Sequence, residues 1–283
     1  MLMSSKERKS RYTYHMIELK TTMPEADFFH YIAKEVRSLV QGFKGQAPIA
    51  KHKDVLGDYA TEVDIAVEKL IVAEINKRFP GDAILAEEAY ADTVISDGRI
   101  WIIDPICGTS NLGRGMTSFC TNIALASNKE LVAACVVDHS QVDYFWSIGN
   151  QEVYCNDQLI HRQAHDENLG TVIDIDFGAL GSVSDPFNKN LATAAYKLSL
   201  LPGYMLQSLS TSLGFAYTAA SKIDGFINSH NHPWDIAASS FLLQQSGGVI
   251  TDLAGQPWSL SSIGAIGAGS TAVHKQLLAA YNE

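Results

Sequence analysis

One segment near the middle of the chain, WIIDPICGTSN at residues 101–111, constrains the fold more than any other. Its apolar start predicts a buried strand that ends at Asp104, because the proline that follows has no backbone N–H for a sheet ladder. Gly108 and Thr109 then supply backbone N–H groups at the predicted start of a helix. A carboxylate beside such amides suits a metal ion that holds a phosphate, since the carboxylate binds the cation and the amides bind the anion.

Composition and charge restrict the classes of function. The 283 residues carry a formal net charge of -10, which argues against a nucleic-acid backbone as the main partner, because such binding needs a basic face. No apolar run approaches the roughly 20 residues that span a bilayer. The four cysteines show neither zinc-type nor disulfide-type spacing, which favours a reduced, cytoplasmic setting. An acidic protein that handles phosphate esters needs metal cations to reconcile the two negative charges.

The first half of the chain predicts two helices followed by strands. An apolar stripe behind Pro24 predicts a helix that ends near Gly42, and a second helix starts around Thr61 and stops at Phe79. Residues 43–60 between them predict a polar loop. The strands predicted after the helices are Ile84–Ala86, Ile100–Asp104, Thr121–Ser127 and Leu131–Val137, the last two as a hairpin.

After about residue 165 the pattern alternates strand and helix, as α/β layers do. Strands are predicted at Thr171–Asp176, Tyr204–Leu209, Gly225–Ile227, Val249–Asp252 and Ala265–Gly267, and helices at Lys189–Leu200, Ser210–Ser221 and Asp235–Gln245. We therefore expect a loose extension over residues 1–22 and one folded domain over 23–283. Its α+β half ends near residue 165, and its α/β half covers 166–283.

Three further acids fall at the loop-facing ends of predicted elements. Glu87 follows a short strand, Asp64 lies in the first turn of the second helix, and Asp235 opens a later helix. Together with Asp104 they provide four carboxylates, which a two-metal phosphoryl site uses to bind the attacking and leaving oxygens. Taken alone, each acid is more commonly a helix cap or a solvated turn residue, since aspartate favours both positions.

These acids lie in segments that resemble the inositol monophosphatase family. The segments occur in the family's order and spacing: Asp58 with TEVD at 61–64, AEE at 86–88, WIIDPICGTSN at 101–111 and WDIA at 234–237. The resemblance implies a layered αβαβα sandwich that combines α+β and α/β halves. It also implies Mg²⁺-dependent hydrolysis of a small phosphorylated metabolite, usually by a homodimer, with no role for nucleic acid or a membrane.

The resemblance implies ligands for two metals. Glu87, Asp104 and the backbone carbonyl of Ile106 correspond to ligands of the first metal. Asp104 and Asp235 correspond to ligands of the second, where the family also has an aspartate at the position of Cys107. A metal-activated water near neutral pH then attacks a phosphoryl group whose charge the cations neutralise.

The same resemblance implies catalytic and substrate-binding residues. The Thr109 hydroxyl and Glu87 orient the attacking water, and Asp64 supports Thr109. The amides of Gly108 and Thr109 hold the phosphate. The implied substrate-binding residues are Gly108, Thr109, Ser210, Asn228 and Asp235.

Cys107 is the main departure from the family pattern. A free thiol titrates near ~8.5 and is mostly neutral at pH 7, and sulfur is a poor ligand for Mg²⁺. The loss of a metal ligand should cost at least the roughly 10–100-fold that outer-shell changes cost. Zn²⁺ can use a thiolate, so Zn²⁺ or Mn²⁺ is an alternative to Mg²⁺. The other interpretation is that Cys107 only fills the volume.

Two more departures concern the substrate. Leu209 stands where the family has a glycine that permits close backbone approach. Asn228 stands where inositol-specific members carry a glutamate, so inositol phosphates, sugar phosphates and nucleotide phosphates all stay open. Together with Cys107, these departures favour an alternative function: a weak or inactive family member that binds a phosphorylated ligand or a partner protein.

Two other interpretations fit the sequence poorly. A cysteine phosphatase needs Cys-x5-Arg, but Arg114 lies seven residues after Cys107 and the required position holds Gly113. The GAIGAG stretch at 264–269 has the wrong order for a dinucleotide-binding GxGxxG motif, and too few residues follow it.

Overall fold

A computed structural model of the chain describes residues 23–53, 58–163, 167–177 and 186–283. The extension predicted at residues 1–22 lies outside the described residues. The helices of the described part are α1 (Pro24–Gly42), α2 (Glu62–Arg78), α3 (Thr109–Gly113), α4 (Pro186–Ser199), α5 (Leu213–Ala219), α6 (Pro233–Gln245) and α7 (Thr271–Asn282), with a 3-10 turn at Glu167–Leu169. None of these helices has both the length and the apolar character required to cross a bilayer.

The strands form three sheets. They are β1 (Ile49–His52), β2 (Tyr59–Thr61), β3 (Ala83–Ala86), β4 (Arg99–Cys107), β5 (Cys120–Ser127), β6 (Glu130–Asp138), β7 (Asp143–Ser147), β8 (Tyr154–Cys155), β9 (Gln158–Leu159), β10 (Thr171–Asp176), β11 (Tyr204–Gln207), β12 (Gly225–Asn228), β13 (Val249–Thr251) and β14 (Ala265–Ala268). β1 and β2 pair with each other, β3 to β9 follow one another in sequence order, and the third sheet has the order β11-β10-β12-β14-β13.

The seven-stranded sheet is buried on both faces, as its second strand, β4, shows. Trp101 and Ile103 belong to the core formed with α1 and α2, and the Trp101 ring lies 5.1 Å from that of Phe28 in α1. Ile100 and Ile102 belong to the core on the other face. Because successive side chains of a strand point to opposite faces, a continuous apolar run is what a doubly covered strand requires.

The helices complete five layers around the two larger sheets. α1 and α2 cover the outer face of the seven-stranded sheet. α5 and α6 pack between that sheet and the five-stranded sheet, whose other face is covered by α4 and α7. The predicted αβαβα sandwich is thereby confirmed. Its central helix layer brings the start of α6 against the seven-stranded sheet, where the candidate site lies.

Most predicted elements are confirmed, with several corrections. The strand predicted to end at Asp104 continues through Pro105 to Cys107, with a register shift against β5 between Asp104 and Cys107. Strands β7, β8 and β9 were not predicted. The loop predicted at 43–60 contains strands β1 and β2, which pair as an antiparallel ribbon. The helix predicted from Ser210 starts at Leu213 instead, because Ser210 has a φ of 51°, which no right-handed helix accepts. Helix α7 was not predicted, although its N-cap Ser270 accepts a hydrogen bond from the Val273 amide.

Candidate metal centre and its surroundings

Glu87 and Asp104 lie side by side because β3 and β4 run parallel. The last pair in register is Ala86 with Ile103, so the next residue on each strand is an acid at the same edge of the sheet. The two side chains lie close enough for each to affect the pKa of the other, and Asp104 is only 1% exposed. Asp104 Oδ1 has no hydrogen-bond partner among the described residues. The half-buried Glu87 therefore lies beside a buried aspartate with an unsatisfied oxygen.

Asp235 at the start of α6 is the third acid of this cluster. Burial, followed by the charges of Glu87 and Asp235, raises the pKa of Asp104 well above its ordinary range. Burial also raises the pKa of Glu87 to about 7, and burial with the charge of Glu87 raises that of Asp235 to about 8. The charge of Glu87 thus disfavours ionisation of both Asp104 and Asp235, as expected where carboxylates gather without enough positive charge.

Lys53 is the cation nearest to this cluster. Its Nζ lies 2.5 Å from Glu87 Oε1, 2.9 Å from Glu88 Oε1 and 3.8 Å from Asp58 Oδ1. Burial acts to lower the pKa of Lys53, but the charges and hydrogen bonds of Glu87 and Glu88 together outweigh it and raise the pKa well above the ordinary value. One oxygen of Glu87 is therefore already neutralised by an ammonium group.

Asp64 and Thr109 connect α2 to the loop after β4. Asp64 caps its own helix by accepting from the Thr61 amide at 2.8 Å, and its other oxygen accepts from the Thr109 hydroxyl, also at 2.8 Å. The Thr109 hydroxyl is 2.9 Å from the carbonyl oxygen of Ile106. Burial raises the pKa of Asp64. The predicted contact between Asp64 and Thr109 is present, although Asp64 also serves as a helix cap.

Gly108 permits the turn that connects β4 to α3. Its φ is 99°, a left-handed conformation that side-chain-bearing residues rarely adopt. An added Cβ would lie 3.1 Å from the Ser118 carbonyl oxygen and 3.2 Å from the Phe119 Cβ. The turn places Thr109 directly beside Asp64, so the glycine is required for the geometry of this loop.

Cys107 is hydrogen-bonded to the segment at residues 209–212. Its Sγ accepts from the Ser212 amide at 3.2 Å, and its carbonyl accepts from the Thr211 hydroxyl at 3.0 Å. A hydrogen bond with the Cys120 thiol, together with burial, raises the pKa of the Cys107 thiol well above its ordinary value. The thiol is therefore neutral at physiological pH.

Asn122 fixes the start of α6 against the sheet. It lies opposite Asp104 in the β4–β5 register, and its amide nitrogen donates to the Asp235 carbonyl at 2.9 Å and to the Ser212 hydroxyl at 2.8 Å. The Asp235 carboxylate accepts from the His232 amide at 2.5 Å. Asp235, like Asp64, thus caps a helix with one oxygen.

The remaining predicted substrate residues lie around the same loop. Ser210 is next to Leu209, whose carbonyl accepts from the Asn111 side chain at 2.7 Å. Asn228, at the end of β12, donates to Asp176 at 3.2 Å and accepts from Asn231 at 2.6 Å. The segment with Ser210 therefore reaches the loop after β4, whereas Asn228 is engaged by its own neighbours.

The donor set fits a hard cation at one of the two implied positions. Over the described ranges, no three His, Cys, Asp or Glu side chains stand in a ready-made metal-binding cluster. Glu87 and the unsatisfied oxygen of Asp104 are nevertheless hard donors with uncompensated charge, as Mg²⁺ or Mn²⁺ prefers. The second position does not fit Mg²⁺, because Cys107 offers a neutral thiol in place of an oxygen.

Three residues of the site were missed in the sequence. Lys53 lies in a segment with no periodic pattern, so nothing signalled its contact with Glu87. Asn122 lies in the strand predicted at Thr121–Ser127, and Cys120 lies just outside it. Pairing the predicted strands in register would have placed Asn122 opposite Asp104, but the register shift that brings Cys120 opposite Cys107 had no signal in the sequence.

A separate polar cavity of about 180 Å³ lies at the end of the five-stranded sheet where β10 and β12 begin and β14 ends, lined by residues that include Arg162, Lys222 and Ser270. None of the predicted site residues lines this cavity. Arg162 already donates to the carbonyls of Ser246 and Gly247. The acid cluster is therefore the better candidate for chemistry.

Comparisons with known proteins agree with this geometry. The model of the inositol monophosphatase family matches residues 28–283. The chain is 28% identical over 237 residues to a fructose-1,6-bisphosphatase/inositol-1-monophosphatase of Thermotoga maritima, covering 83% of this chain and 87% of the relative. It is 30% identical to the Nus factor SuhB of Xylella fastidiosa, covering 70% of each. A solved Thermotoga maritima IMPase superposes with a TM-score of 0.78 at 25% identity, covering 92% of this chain and 97% of that one.

Proposed function

Because this chain belongs to the inositol monophosphatase family, we propose that it is a metal-dependent phosphatase that hydrolyses a small phosphate monoester. The observation that carries the proposal is the cluster of the buried Asp104 with the half-buried Glu87 and Asp235, in which burial and the charge of Glu87 raise the pKa of both aspartates. Such a cluster is costly unless a cation is bound there, and phosphoryl transfer needs cations at the substrate. The natural substrate class is an inositol, sugar or nucleotide phosphate.

In this proposal Glu87, Asp104 and the Ile106 carbonyl hold the first metal. Asp104 and Asp235 contribute to a second position, which Cys107 weakens for Mg²⁺ and leaves open to Mn²⁺ or Zn²⁺. When bound, the metal supplies Lewis acidity that activates water and neutralises phosphoryl charge.

The chain's own residues position the reacting groups. The Thr109 hydroxyl donates to Asp64 or Ile106, so its oxygen lone pairs stay available to accept a hydrogen bond from the attacking water. Glu87, with a pKa of about 7, is poised to take a proton from that water near neutral pH. We assign the amides of Gly108 and Thr109 to the phosphate, and Ser210, Asn228 and Asp235 to the rest of the substrate.

A second candidate function rests on Cys107. Because its thiol is neutral and already bonded to Ser212, the site is one ligand short. A family member with this defect binds a phosphorylated ligand or a partner protein without turnover. The relative named as a Nus factor makes a partner protein the more specific form of this alternative.

The proposal also includes the cellular compartment and the oligomeric state of the protein. The four cysteines are free thiols, which supports a reducing cytoplasm. We infer a homodimer from the family, and light scattering on the purified full chain tests it by giving twice the mass of 30.8 kDa.

The test is release of inorganic phosphate from a panel of inositol, sugar and nucleotide monophosphates with Mg²⁺, Mn²⁺ or Zn²⁺. We expect release with at least one metal, and Asp104→Asn to lower it by at least about 100-fold because a metal ligand is lost. The matched control Asp97→Asn changes an exposed acid paired with Lys129 and should leave the rate unchanged.

Cys107→Asp separates the two candidates. If the wild-type chain is inactive with every metal and the aspartate restores release, the second candidate function, binding without turnover, is correct. If the wild-type chain is active and Asp104→Asn is equally active, the metal-dependent mechanism is wrong.

A further inference from the structure

Cys107 and Cys120 are direct cross-strand partners. They face each other in the antiparallel register of β4 and β5, at the point where a register shift ends the ladder. Residues directly opposite in such a pair have Cα atoms about 4.5–5.5 Å apart, within the range of about 4.4–6.8 Å that disulfides span. The backbone therefore meets the first condition for a covalent bond between them.

The two sulfur atoms also occupy the same pocket. Both residues belong to the core on the α5–α6 side of the sheet. Cys107 Sγ accepts from the Ser212 amide at 3.2 Å, and Cys120 Sγ lies 3.6 Å from the Ser212 hydroxyl. Thr211 also joins the two cysteines, because its hydroxyl donates to the Cys107 carbonyl at 3.0 Å and lies 3.3 Å from Cys120 Sγ. The shared contacts with Thr211 and Ser212 place both cysteines against the same segment, which is the second condition.

We propose that Cys107 and Cys120 form a site of oxidative modification. A reversible intramolecular disulfide there joins the last residue of β4 to the first residue of β5. Cys107 is partly exposed and Cys120 is fully buried, so a small oxidant reaches Cys107 first. The buried thiol then acts as the resolving cysteine. This inference concerns the cysteines alone and does not depend on phosphatase activity.

The reaction with a hydroperoxide is balanced in two steps. The Cys107 sulfur attacks one peroxide oxygen, the O–O bond breaks, and Cys107 sulfenic acid and one water form. The Cys120 sulfur then attacks the sulfenic sulfur, the S–O bond breaks, and the S–S bond and a second water form. Each sulfur is oxidised by one electron overall, and the peroxide is reduced by two.

The other two cysteines provide matched controls within the same sheet. Cys135 lies in the core on the opposite face, where its register partners are Ile123 and Trp146. Cys155 pairs with Phe145 and Gln158. Both are buried, and neither faces another cysteine in its ladder.

The experiment exposes the full-length chain to hydrogen peroxide under native conditions, blocks the remaining thiols and maps the peptides without reduction. We expect a single linked pair that contains Cys107 and Cys120, with a mass loss of about 2 Da for the two hydrogens removed. A reductant should restore both thiols. The same treatment in urea should give mixed pairings, because the linkage depends on the native register.

The variants Cys107→Ser and Cys120→Ser should each abolish the linked pair, and Cys135→Ser should leave it intact. Circular dichroism confirms that each variant is folded. The proposal is overturned if Cys107 proceeds to sulfinic acid while Cys120 stays a free thiol. It is equally overturned if the linkage joins two copies of the chain, or if all four thiols survive a dose that oxidises the same protein in urea.

Discussion

Two buried aspartates on neighbouring parts of one sheet differ in how their charge is satisfied. Asp138, at the end of β6, is 0% exposed and accepts from the Ser140 amide at 2.8 Å, from the Gln141 amide at 3.3 Å and from the Tyr217 hydroxyl at 2.6 Å. Asp104, at the edge of β4, is as deeply buried but leaves Oδ1 without a partner among the described residues. Both aspartates are buried, but only Asp138 has hydrogen-bond partners for both of its carboxylate oxygens.

We propose that this difference separates a structural carboxylate, Asp138, from a functional one, Asp104. A buried carboxylate that the fold satisfies contributes to stability, whereas one surrounded by other acids opposes folding. In this proposal, a bound cation offsets the free-energy cost of the acids gathered at Asp104. The predictions below test this contrast between the two sites.

The largest expected effect is on stability at Asp138. Asp138→Ala leaves the donors of Ser140, Gln141 and Tyr217 without an acceptor and should lower the free energy of unfolding by about 3 kcal/mol. Asp104→Ala should change it by less than about 1 kcal/mol in metal-free protein, because relief of charge repulsion offsets lost packing. Urea unfolding of both variants measures the two changes in the free energy of unfolding. Equal losses of stability in the two variants would contradict the distinction between the two aspartates.

The next effect concerns the ligand missing at Cys107. Cys107→Asp supplies an oxygen ligand and a charge, and should tighten Mg²⁺ binding by about 10–100-fold. The matched variant Cys107→Ser, which adds a neutral oxygen of similar size, should stay close to wild type. Metal-dependent thermal shifts measure both. An aspartate that binds Mg²⁺ no better than serine would show that position 107 does not face the cation.

A smaller effect is the pH dependence of the metal-free protein. The folded-state pKa values of Glu87 and Asp235, about 7 and about 8, lie above their unfolded values, so the folded state holds more protons between about pH 4 and 8. The free energy of unfolding should therefore fall as pH rises through this window, by about 1–2 kcal/mol. Denaturation at several pH values measures the slope, and Glu87→Gln with Asp235→Asn should flatten it.

The smallest effect is at the turn before α3. Gly108→Ala places a Cβ against the Ser118 carbonyl at a φ of 99°, and should cost about 1 kcal/mol of stability. Gly115→Ala is the matched control, because it also has positive φ but no atom within 4 Å of its added Cβ. A larger loss at Gly115 than at Gly108 would contradict the requirement for close approach.

Much of the fold was predictable because its signals are local. The Pro24 helix start, the Thr61 cap and the turn between β5 and β6 each act within a few residues, and the structure confirms all three. The adjacency of Glu87 and Asp104 was also expected, since acids that follow strand ends tend to meet at a sheet edge. These features depend on short-range backbone preferences and on simple periodicity.

What could not be predicted depends on contacts between distant segments. Lys53 meets Glu87 across 34 positions of sequence, and Asn122 meets Asp235 across 113. No local pattern reports such pairs. The positive φ at Ser210, which delays α5, is likewise imposed by packing of the 209–212 segment against Cys107, and the sequence alone favours a helix there.

The most direct test of the acid cluster is calorimetric titration of Mn²⁺ into metal-free protein at pH 7.5. We expect saturable binding in the wild-type chain, loss of at least about 10-fold in affinity in Asp104→Asn and in Glu87→Gln, and release of protons, because the cation replaces those held by the carboxyl groups. Asp138→Asn is the folded control and should bind as the wild type does. Identical binding by wild type and Asp104→Asn, or no binding by wild type, would contradict a cation centre at these carboxylates.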